Sequence, residues 1–281
     1  MARHTTFEVG GPADYLVEAR DEADVAAAIA AAREAGAPWH VVGCGSNLLV
    51  SDGGLRGVVV HIGPTMAGIE VDGAVVRAQA GATNEQVARA ALEAGLSGYE
   101  FASGIPGSIG GAAIMNAGAY DGEFRDVGVS VSCLTPAGAM VEVPAEQARW
   151  GYRHSMMMDE GWIVLAATLR LQPADPQQIR AKMDDLAARR SSKQPLEMPS
   201  AGSTFKRPEG YFAGKLIQDA GMRGHAVGGA QVSQKHCGFV VNAGGATAAD
   251  VVNVIRDVQA AVKARFGVDL EPEVRMWGFG D

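Results

Sequence analysis

Residues 101–123 read FASGIPGSIGGAAIMNAGAYDGE, and this stretch constrains the fold more than any other. Between Gly104 and Gly111 it holds four glycines, one proline and one serine, which leave many backbone N–H groups uncovered by side chains. A long irregular surface loop is one interpretation, but surface loops rarely carry residues such as Ile105 and Ile109 among their glycines. The mixture favours a helix-poor loop between a core and a large, flat, phosphate-bearing cofactor.

A second glycine-rich sequence, Gly43-Cys44-Gly45-Ser46-Asn47, follows the apolar run Trp39–Gly43, which is typical of a buried strand. Consecutive N–H groups in such a turn can bind a diphosphate. The sequence is not the dinucleotide fingerprint of doubly wound folds, because Leu48 replaces its third glycine and no capped helix is predicted after it. Alone it is more often a structural turn, but two such loops in one chain favour a cofactor site.

Hydrophobic periodicity predicts an α+β fold in two domains. Residues 1–172 form the larger one, in which short strands alternate with capped helices such as the one that carries Val25 and Ile29. The two prolines of Pro173–Pro176 predict a linker. Residues 173–281 then form a smaller α+β domain with a charged first helix and one long later helix.

The composition excludes several functional classes. With 24 Lys and Arg against 32 Asp and Glu the formal net charge is −8, so a nucleic-acid-binding surface is not expected. Cys44, Cys133 and Cys237 are widely spaced, which indicates neither a disulfide framework nor a zinc site and suits a reducing cytosol. The first residues lack the apolar core of a signal peptide, and no stretch is long enough to span a membrane. A soluble, cytoplasmic monomer is expected.

Longer motifs resemble one enzyme family along nearly the whole chain, from residue 4 to residue 278. The family is that of the UDP-N-acetylenolpyruvoylglucosamine reductases. The resemblance rests on His4-Thr5-Thr6, GCGSN, the 101–123 tract, Tyr152-Arg153-His154-Ser155, AGSTFKRP, FAGKLIQDAG, GHAVGGAQVSQKHCGFVVNAGGAT and FGVDLEPEVRMWG.

The resemblance implies a flavin oxidoreductase of peptidoglycan synthesis, and so of cell wall biogenesis, cell shape and cell division. Such an enzyme reduces UDP-N-acetylglucosamine enolpyruvate to UDP-N-acetylmuramate with FAD as cofactor and NADPH as reductant. The implied fold is an FAD-binding domain of the vanillyl-alcohol-oxidase (PCMH) type plus a smaller α+β substrate domain. No histidine lies in the glycine-rich loops, so the FAD is expected to be bound non-covalently.

The same motifs assign roles to individual residues. Arg153 and Glu273 match the charged pair around the enolate that develops on the substrate, and Ser203 matches the proton donor. Without the motifs, a surface ion pair, a strand residue and a turn hydroxyl would be the simpler interpretations. The implied cofactor-binding residues are Gly43, Cys44, Gly45, Ser46, Asn47, Gly81, Gly104, Ile105, Pro106, Gly107, Ser108, Gly110, Gly111, Asn116, Ala117 and Gly118.

The substrate's diphosphate and carboxylate require cations. Segments that match the family's substrate-binding motifs supply Lys193, Arg207, Lys215, Lys235 and His236. Lys215 is the best supported from the residues alone, because apolar side chains flank it on both sides. The short interval after the YRHS motif resembles the short (type II) form of the family, which lacks the loop whose tyrosine closes over the UDP group.

Two alternatives stay open: a flavin oxidoreductase of the same fold with another substrate, and a non-catalytic nucleotide-binding protein. The three motifs that carry Arg153, Ser203 and Glu273 favour the reductase over both. His4, His40 and His61 lack the spacing of metal ligands, so no metal is predicted.

Overall fold

The structure is a computed structural model that describes residues 1–280. The helices are α1 (Glu22–Glu34), α2 (Asn84–Glu93), α3 (Ile109–Met115), α4 (Met156–Asp159), α5 (Pro176–Lys193), α6 (Ala213–Asp219) and α7 (Ala248–Phe266). The strands are β1 (Ala13–Glu18), β2 (Trp39–Val42), β3 (Leu48–Val50), β4 (Leu55–His61), β5 (Ile69–Asp72), β6 (Val75–Gln79), β7 (Leu96–Ser97), β8 (Gly118–Ala119), β9 (Gly122–Glu123), β10 (Gly128–Leu134), β11 (Met140–Pro144), β12 (Ile163–Arg170), β13 (Gln172–Pro173), β14 (Ala226–Val227), β15 (Ala230–Val232), β16 (Val240–Asn242) and β17 (Arg275–Trp277). None of the helices within residues 1–280 combines the length and apolar composition that crossing a bilayer requires.

The chain folds as two compact units, each built from segments that are separated in sequence. The large unit comprises Tyr15–Cys44 and Gly57–Arg190. The small unit comprises Met1–Asp14, Gly45–Arg56 and the chain from Ser191 onward. Both units combine helices with strands, so the predicted α+β class is confirmed.

A five-stranded antiparallel sheet in the order β11-β10-β12-β6-β5 forms the centre of the large unit. Helices α2 and α3 pack against it, so that Val87 and Ile109 share one apolar core with Val131. A second sheet has the order β1-β4-β2, in which β2 and β4 run parallel. Its core includes Val25 and Ile29 of α1, as the helical spacing of these residues predicts.

Helix α3 corrects the prediction of a helix-poor tract after residue 103. Gly110 and Gly111 have low helix propensity. However, the N–H of Ile109 donates to the carbonyl of Ala82 at 2.8 Å and that of Gly110 to Ala80 at 3.0 Å. Tertiary hydrogen bonds and the burial of Ile109 therefore stabilise a helix that local propensity disfavours.

In the small unit, helix α7 packs on the antiparallel sheet β14-β15-β16. Val251, Val254, Val258 and Val262 recur at helical spacing on its buried face. At its N-terminus, the Asp52 carboxylate accepts hydrogen bonds from the N–H groups of Ala248 and Ala249, at 2.8 and 3.0 Å. These bonds satisfy donors that have no partner inside a helix.

This division differs from the boundary predicted after residue 172. Strand β13 in the predicted linker pairs with β7, and the N–H of Ala174 donates to the carbonyl of Gly95 at 2.8 Å, so this segment belongs to the large unit. In the small unit, β3 pairs in parallel with β17 near the other end of the chain. Pairing between distant segments leaves no trace in local composition, so the sequence pattern could not predict it.

Candidate active site

Three loops of the large unit meet at the predicted cofactor residues. A Cβ on Gly43 would lie 2.5 Å from the Ser108 hydroxyl oxygen, and one on Gly110 would lie 2.9 Å from the Ala80 Cβ. A side chain at Gly110 would displace Ala80, and one at Gly43 would force the Ser108 hydroxyl to rotate. The sequence from Ala80 to Ala82 thus contacts the second glycine-rich tract, and Gly43 contacts the same tract at Ser108.

Unpaired backbone donors make these loops suitable for an anion. Within residues 1–280, the N–H groups of Cys44, Gly104, Gly107 and Ser108 make no hydrogen bond to a protein acceptor. Ser108 is only 4% exposed, and a buried N–H without a partner is rare and costs stability. A ligand with phosphate oxygens would satisfy such donors. The donor set therefore fits the diphosphate of FAD.

The other half of the first glycine-rich loop lies in the small unit. Gly45 has φ +61°, and a Cβ on it would collide with the carbonyl oxygen of His4, so only glycine fits there. The N–H of Thr6 donates to the carbonyl of Gly45 at 3.3 Å. The His4-Thr5-Thr6 motif is thus in contact with Gly45 of the GCGSN motif.

In the small unit, Glu273 is hydrogen-bonded to Thr204, the residue that follows Ser203. The N–H of Glu273 donates to the carbonyl of Thr204 at 2.8 Å. Thr204 is 2% exposed, and its N–H and hydroxyl bond to Gly238 and Val240 at 2.8 and 2.9 Å. The backbone around Ser203 is therefore rigidly held, while the Ser203 side chain is exposed.

Asn47 extends this cluster to the cofactor loop. Its side-chain amide donates to the carbonyl of Glu273 at 3.1 Å, and its own carbonyl accepts from the N–H of Arg275 at 3.0 Å. Both bonds lie within the small unit. A residue predicted to bind the cofactor thus also fixes the backbone of a predicted catalytic residue.

Arg153 belongs to the large unit and has a strained backbone. Its φ is +54°, a left-handed conformation that non-glycine residues adopt mainly under constraint. Its guanidinium lies 5.2 Å from the centre of the Tyr152 ring and 3.5 Å from the carbonyl oxygen of Gly118. The loop around it is anchored on α3, because the Trp150 indole donates to Ala113 at 2.8 Å and the Ser155 hydroxyl to Ile114 at 2.7 Å.

Asn116 joins this loop to the second glycine-rich tract. It is 1% exposed, with φ +43° at the C-terminus of α3. Its side-chain amide donates to Glu123 at 2.7 Å and to the Gly151 carbonyl at 3.0 Å, and its oxygen accepts from the N–H of Arg125 at 2.9 Å. Since these bonds occupy the side chain, only the backbone of Asn116 is left for a cofactor.

The predicted substrate cations have varied surroundings in the small unit. Lys215 forms an exposed pair with Asp219, one turn along α6, at 2.5 Å. The guanidinium of Arg207 lies 4.1 Å from the centre of the Phe212 ring. The Lys235 ammonium donates to the Ser191 carbonyl at 2.7 Å, and Lys193 is exposed. Each of these cations reaches solvent, and an exposed pair such as that of Lys215 contributes little to stability.

His236 is the most constrained of the predicted substrate residues. Its Nδ1 accepts the N–H of Gly238 at 3.1 Å, which places the proton of the neutral ring on Nε2. Its ring meets that of Phe239 edge to face, with 5.2 Å between the centroids. Burial lowers the pKa of His236, and the nearby positive charge of Arg223 lowers it further. The ring therefore offers a neutral N–H donor at neutral pH.

Sequence reasoning missed Arg190, in the last turn of α5. Its Nε is buried and has no hydrogen-bond partner within residues 1–280. In the sequence, this arginine is one of many charged residues in an amphipathic helix, so only its burial distinguishes it.

Comparisons with known proteins decide the family. Residues 13–144 match the model of an FAD binding domain, and residues 194–277 match that of the UDP-N-acetylenolpyruvoylglucosamine reductase C-terminal domain. The reductase of that name from Agathobacter rectalis is 53% identical over 99% of this chain and 92% of its own length. The chain belongs to the UDP-N-acetylenolpyruvoylglucosamine reductase family.

Other members of the reductase family give the same result. The one from Clostridium perfringens is 51% identical over 99% of this chain and 91% of its own length. The crystal structure of the Thermus caldophilus reductase (MurB) superposes with a TM-score of 0.83 at 35% identity, covering 98% of this chain and 96% of that one. The predicted reductase family and its fold, an FAD-binding domain plus a second domain, are therefore confirmed, and the length agrees with the short form.

Proposed function

We propose that this chain reduces the enolpyruvyl ether of UDP-N-acetylglucosamine enolpyruvate to UDP-N-acetylmuramate, with FAD as cofactor and NADPH as reductant. Family membership supports the reaction and its place in peptidoglycan precursor synthesis. The observation that carries the assignment of residues is the hydrogen bond of Glu273 to Thr204, which holds Glu273 next to Ser203. When bound, FAD would supply the hydride transfer from NADPH to the substrate's methylene carbon, and the glycine-rich loops would hold its diphosphate.

Ser203 donates the proton that completes the reduction at the α-carbon. A serine hydroxyl is a weak acid in water, so it serves as a donor only when it is held against the developing carbanion. The bonds of Thr204 to Gly238 and Val240 supply that rigidity, and the exposed Ser203 side chain is accessible to a ligand. The hydroxyl makes no hydrogen bond to protein within residues 1–280, so no internal acceptor competes for its proton.

Arg153 binds and polarises the substrate's carboxylate, and Glu273 completes the charged pair around the developing enolate. Hydride addition leaves negative charge on the α-carbon and carboxylate, and a guanidinium stabilises it most in the transition state. The left-handed backbone of Arg153 supports this role, because such strain commonly occurs where function fixes a conformation. Glu273, whose backbone is held at both its N–H and its carbonyl, orients the groups that deliver the proton.

The diphosphate of the UDP group and the phosphates of NADPH bind to cations of the small unit. Lys193, Arg207 and Lys235 reach solvent, and Lys235 and Lys215 would exchange their present partners, the Ser191 carbonyl and Asp219, for the phosphates. His236 donates its Nε2–H to a phosphate or carboxylate oxygen. The enzyme works as a monomer in the cytoplasm, the compartment of NADPH and of UDP-sugars.

The absorption spectrum of the purified protein tests this proposal. The spectrum should show bound oxidised flavin, NADPH should bleach it, and UDP-N-acetylglucosamine enolpyruvate should restore it with formation of UDP-N-acetylmuramate. Bleaching without reoxidation by this substrate would show a flavin oxidoreductase with another substrate. A protein without flavin, or one that NADPH does not bleach, would be a non-catalytic nucleotide-binding protein.

A further inference from the structure

Arg190 carries a charge that the protein itself leaves without a counter-ion. Its side chain makes no ion pair and no hydrogen bond within residues 1–280, and its Nε is buried. Burial lowers the pKa of this guanidinium, while the nearby Tyr120 acts in the opposite direction. A buried, unpaired cation is costly, so proteins normally pair such a group.

Other cations of α5 form ion pairs with nearby acidic residues. Arg189 forms an exposed pair with Asp185 at 2.8 Å, and Lys182 bonds the buried carboxylate of Glu100 at 3.2 Å. Arg190 instead is half-buried, with its Nε buried and its stem beside Gly104. The lack of an ion pair is therefore specific to Arg190 and does not follow from the charges of α5 as a whole.

The side chain lies against the second glycine-rich tract, within the large unit. A Cβ on Gly104 would lie 3.1 Å from the Cδ of Arg190, so glycine at this position gives the arginine stem its room. The N–H of Gly104 is itself without a protein acceptor. A charged donor and a backbone donor thus occur side by side, and such pairs bind phosphate and carboxylate oxygens.

We propose that Arg190 binds an anionic oxygen of a bound ligand at this tract. The ligand that the position favours is the flavin nucleotide, because Gly104 and Tyr120 both belong to the segment matched by the FAD-binding model. That choice rests on the proposed function, whereas the anion-binding role of Arg190 does not. The other sources of the same chemistry are NADPH and the UDP substrate.

The test compares four flavin-loaded proteins: wild type, Arg190→Gln, Arg190→Lys and the control Arg189→Gln. The control removes the same charge one residue earlier on the solvent side of α5. For each protein, the FAD dissociation constant is measured from flavin fluorescence on dilution. The KM values for NADPH and for the UDP substrate are measured from steady-state rates. The melting temperature is measured at saturating FAD.

Arg190→Gln should weaken FAD binding about 10- to 100-fold, since it removes charged hydrogen bonds, with melting at saturating FAD close to wild type. Arg190→Lys should recover part of the affinity, and Arg189→Gln should match wild type. If FAD binding is unchanged but the KM for NADPH or for the UDP substrate rises about 10- to 100-fold, the proposal is supported with that molecule as the bound anion. Constants within twofold of wild type throughout, or equal losses in Arg190→Gln and Arg189→Gln, would overturn it. A wild-type protein that binds FAD but does not reduce the substrate refutes the proposed function and leaves this comparison valid.

Discussion

The side-chain amide of Asn47 donates a hydrogen bond to the backbone carbonyl of Glu273 at 3.1 Å. The same glutamate donates its N–H to Thr204, the residue after Ser203. The position of Glu273 therefore depends on the loop of Asn47 on one side and on the segment of Ser203 on the other. Any movement of the loop at Asn47 is transmitted to the backbone of Glu273.

Asn47→Ala should therefore impair two processes together. Loss of a part-buried hydrogen bond should lower the free energy of unfolding by about 1 kcal/mol. Displacement of Glu273 should lower kcat for the UDP substrate by roughly tenfold, with a smaller effect on flavin reduction by NADPH. Chemical denaturation and stopped-flow absorbance measure the two effects. Asn253→Ala, an exposed position on α7, serves as the control, and equal kinetics in both variants would refute the coupling.

Ser203→Ala separates the two half-reactions. Reduction by NADPH requires no proton transfer to carbon, so its rate should stay close to wild type. Reoxidation by the UDP substrate should slow on the order of 10²–10⁴-fold, because a positioned acid is lost. Glu273→Gln should show the same asymmetry. Stopped-flow absorbance resolves both steps, and equal slowing of both in Ser203→Ala would argue for a defect in folding or flavin position.

Asp52→Ala should destabilise the small unit without affecting chemistry. The carboxylate accepts from Ala248 and Ala249 at the N-terminus of α7, and the loss of such a cap costs about 1–2 kcal/mol. Asp52→Asn keeps one acceptor and should cost less. Urea unfolding followed by circular dichroism gives both values. The idea fails if the two variants unfold at the urea concentration of the wild type.

His236 should give stability a pH dependence of defined sign. Burial holds its folded pKa below the ordinary value of 6.5, so the unfolded chain binds the proton more readily. The contribution of the neutral His236 ring to the free energy of unfolding is therefore complete above pH 6.5. It is lost as the pH falls from 6.5 towards the lower pKa of the folded protein. His236→Gln, which does not titrate, should flatten this part of the profile. An NMR titration of the folded protein that gives the His236 ring a pKa above 6.5 would contradict this prediction.

Local chemistry was enough to predict the capped helices. Asp21 accepts the N–H of Asp24 at 2.9 Å ahead of Val25 and Ile29, as the spacing of these residues indicates. Helix α3 escaped prediction because its stability depends on bonds to Ala80 and Ala82, which are distant in sequence. The sequence motifs single out Ser203, Arg153 and Glu273 as candidates, but only the structure connects Asn47 to Glu273.

Arg190 shows why single-sequence reasoning misses some ligand-binding groups. Apolar residues flank Lys215 in the sequence, and in the structure its ammonium pairs with Asp219 on the surface. Arg190 stands beside Arg189 in a helix full of charges, and nothing local separates the two. Which of two adjacent arginines faces the interior depends on the rotation of α5 against its neighbours, which is a tertiary property.

The three-segment construction of the small unit also governs the order in which the chain can fold during synthesis. Residues 1–14 and 45–56 are synthesised early, but β3 can pair only after β17 has been synthesised, much later in the chain. The segments of the large unit are complete much sooner and can fold first, since domains tend to fold as units during translation. Until β17 has been made, Leu48–Val50 lacks its partner strand, and a chain that stalls before Arg275 would expose it to aggregation and proteolysis.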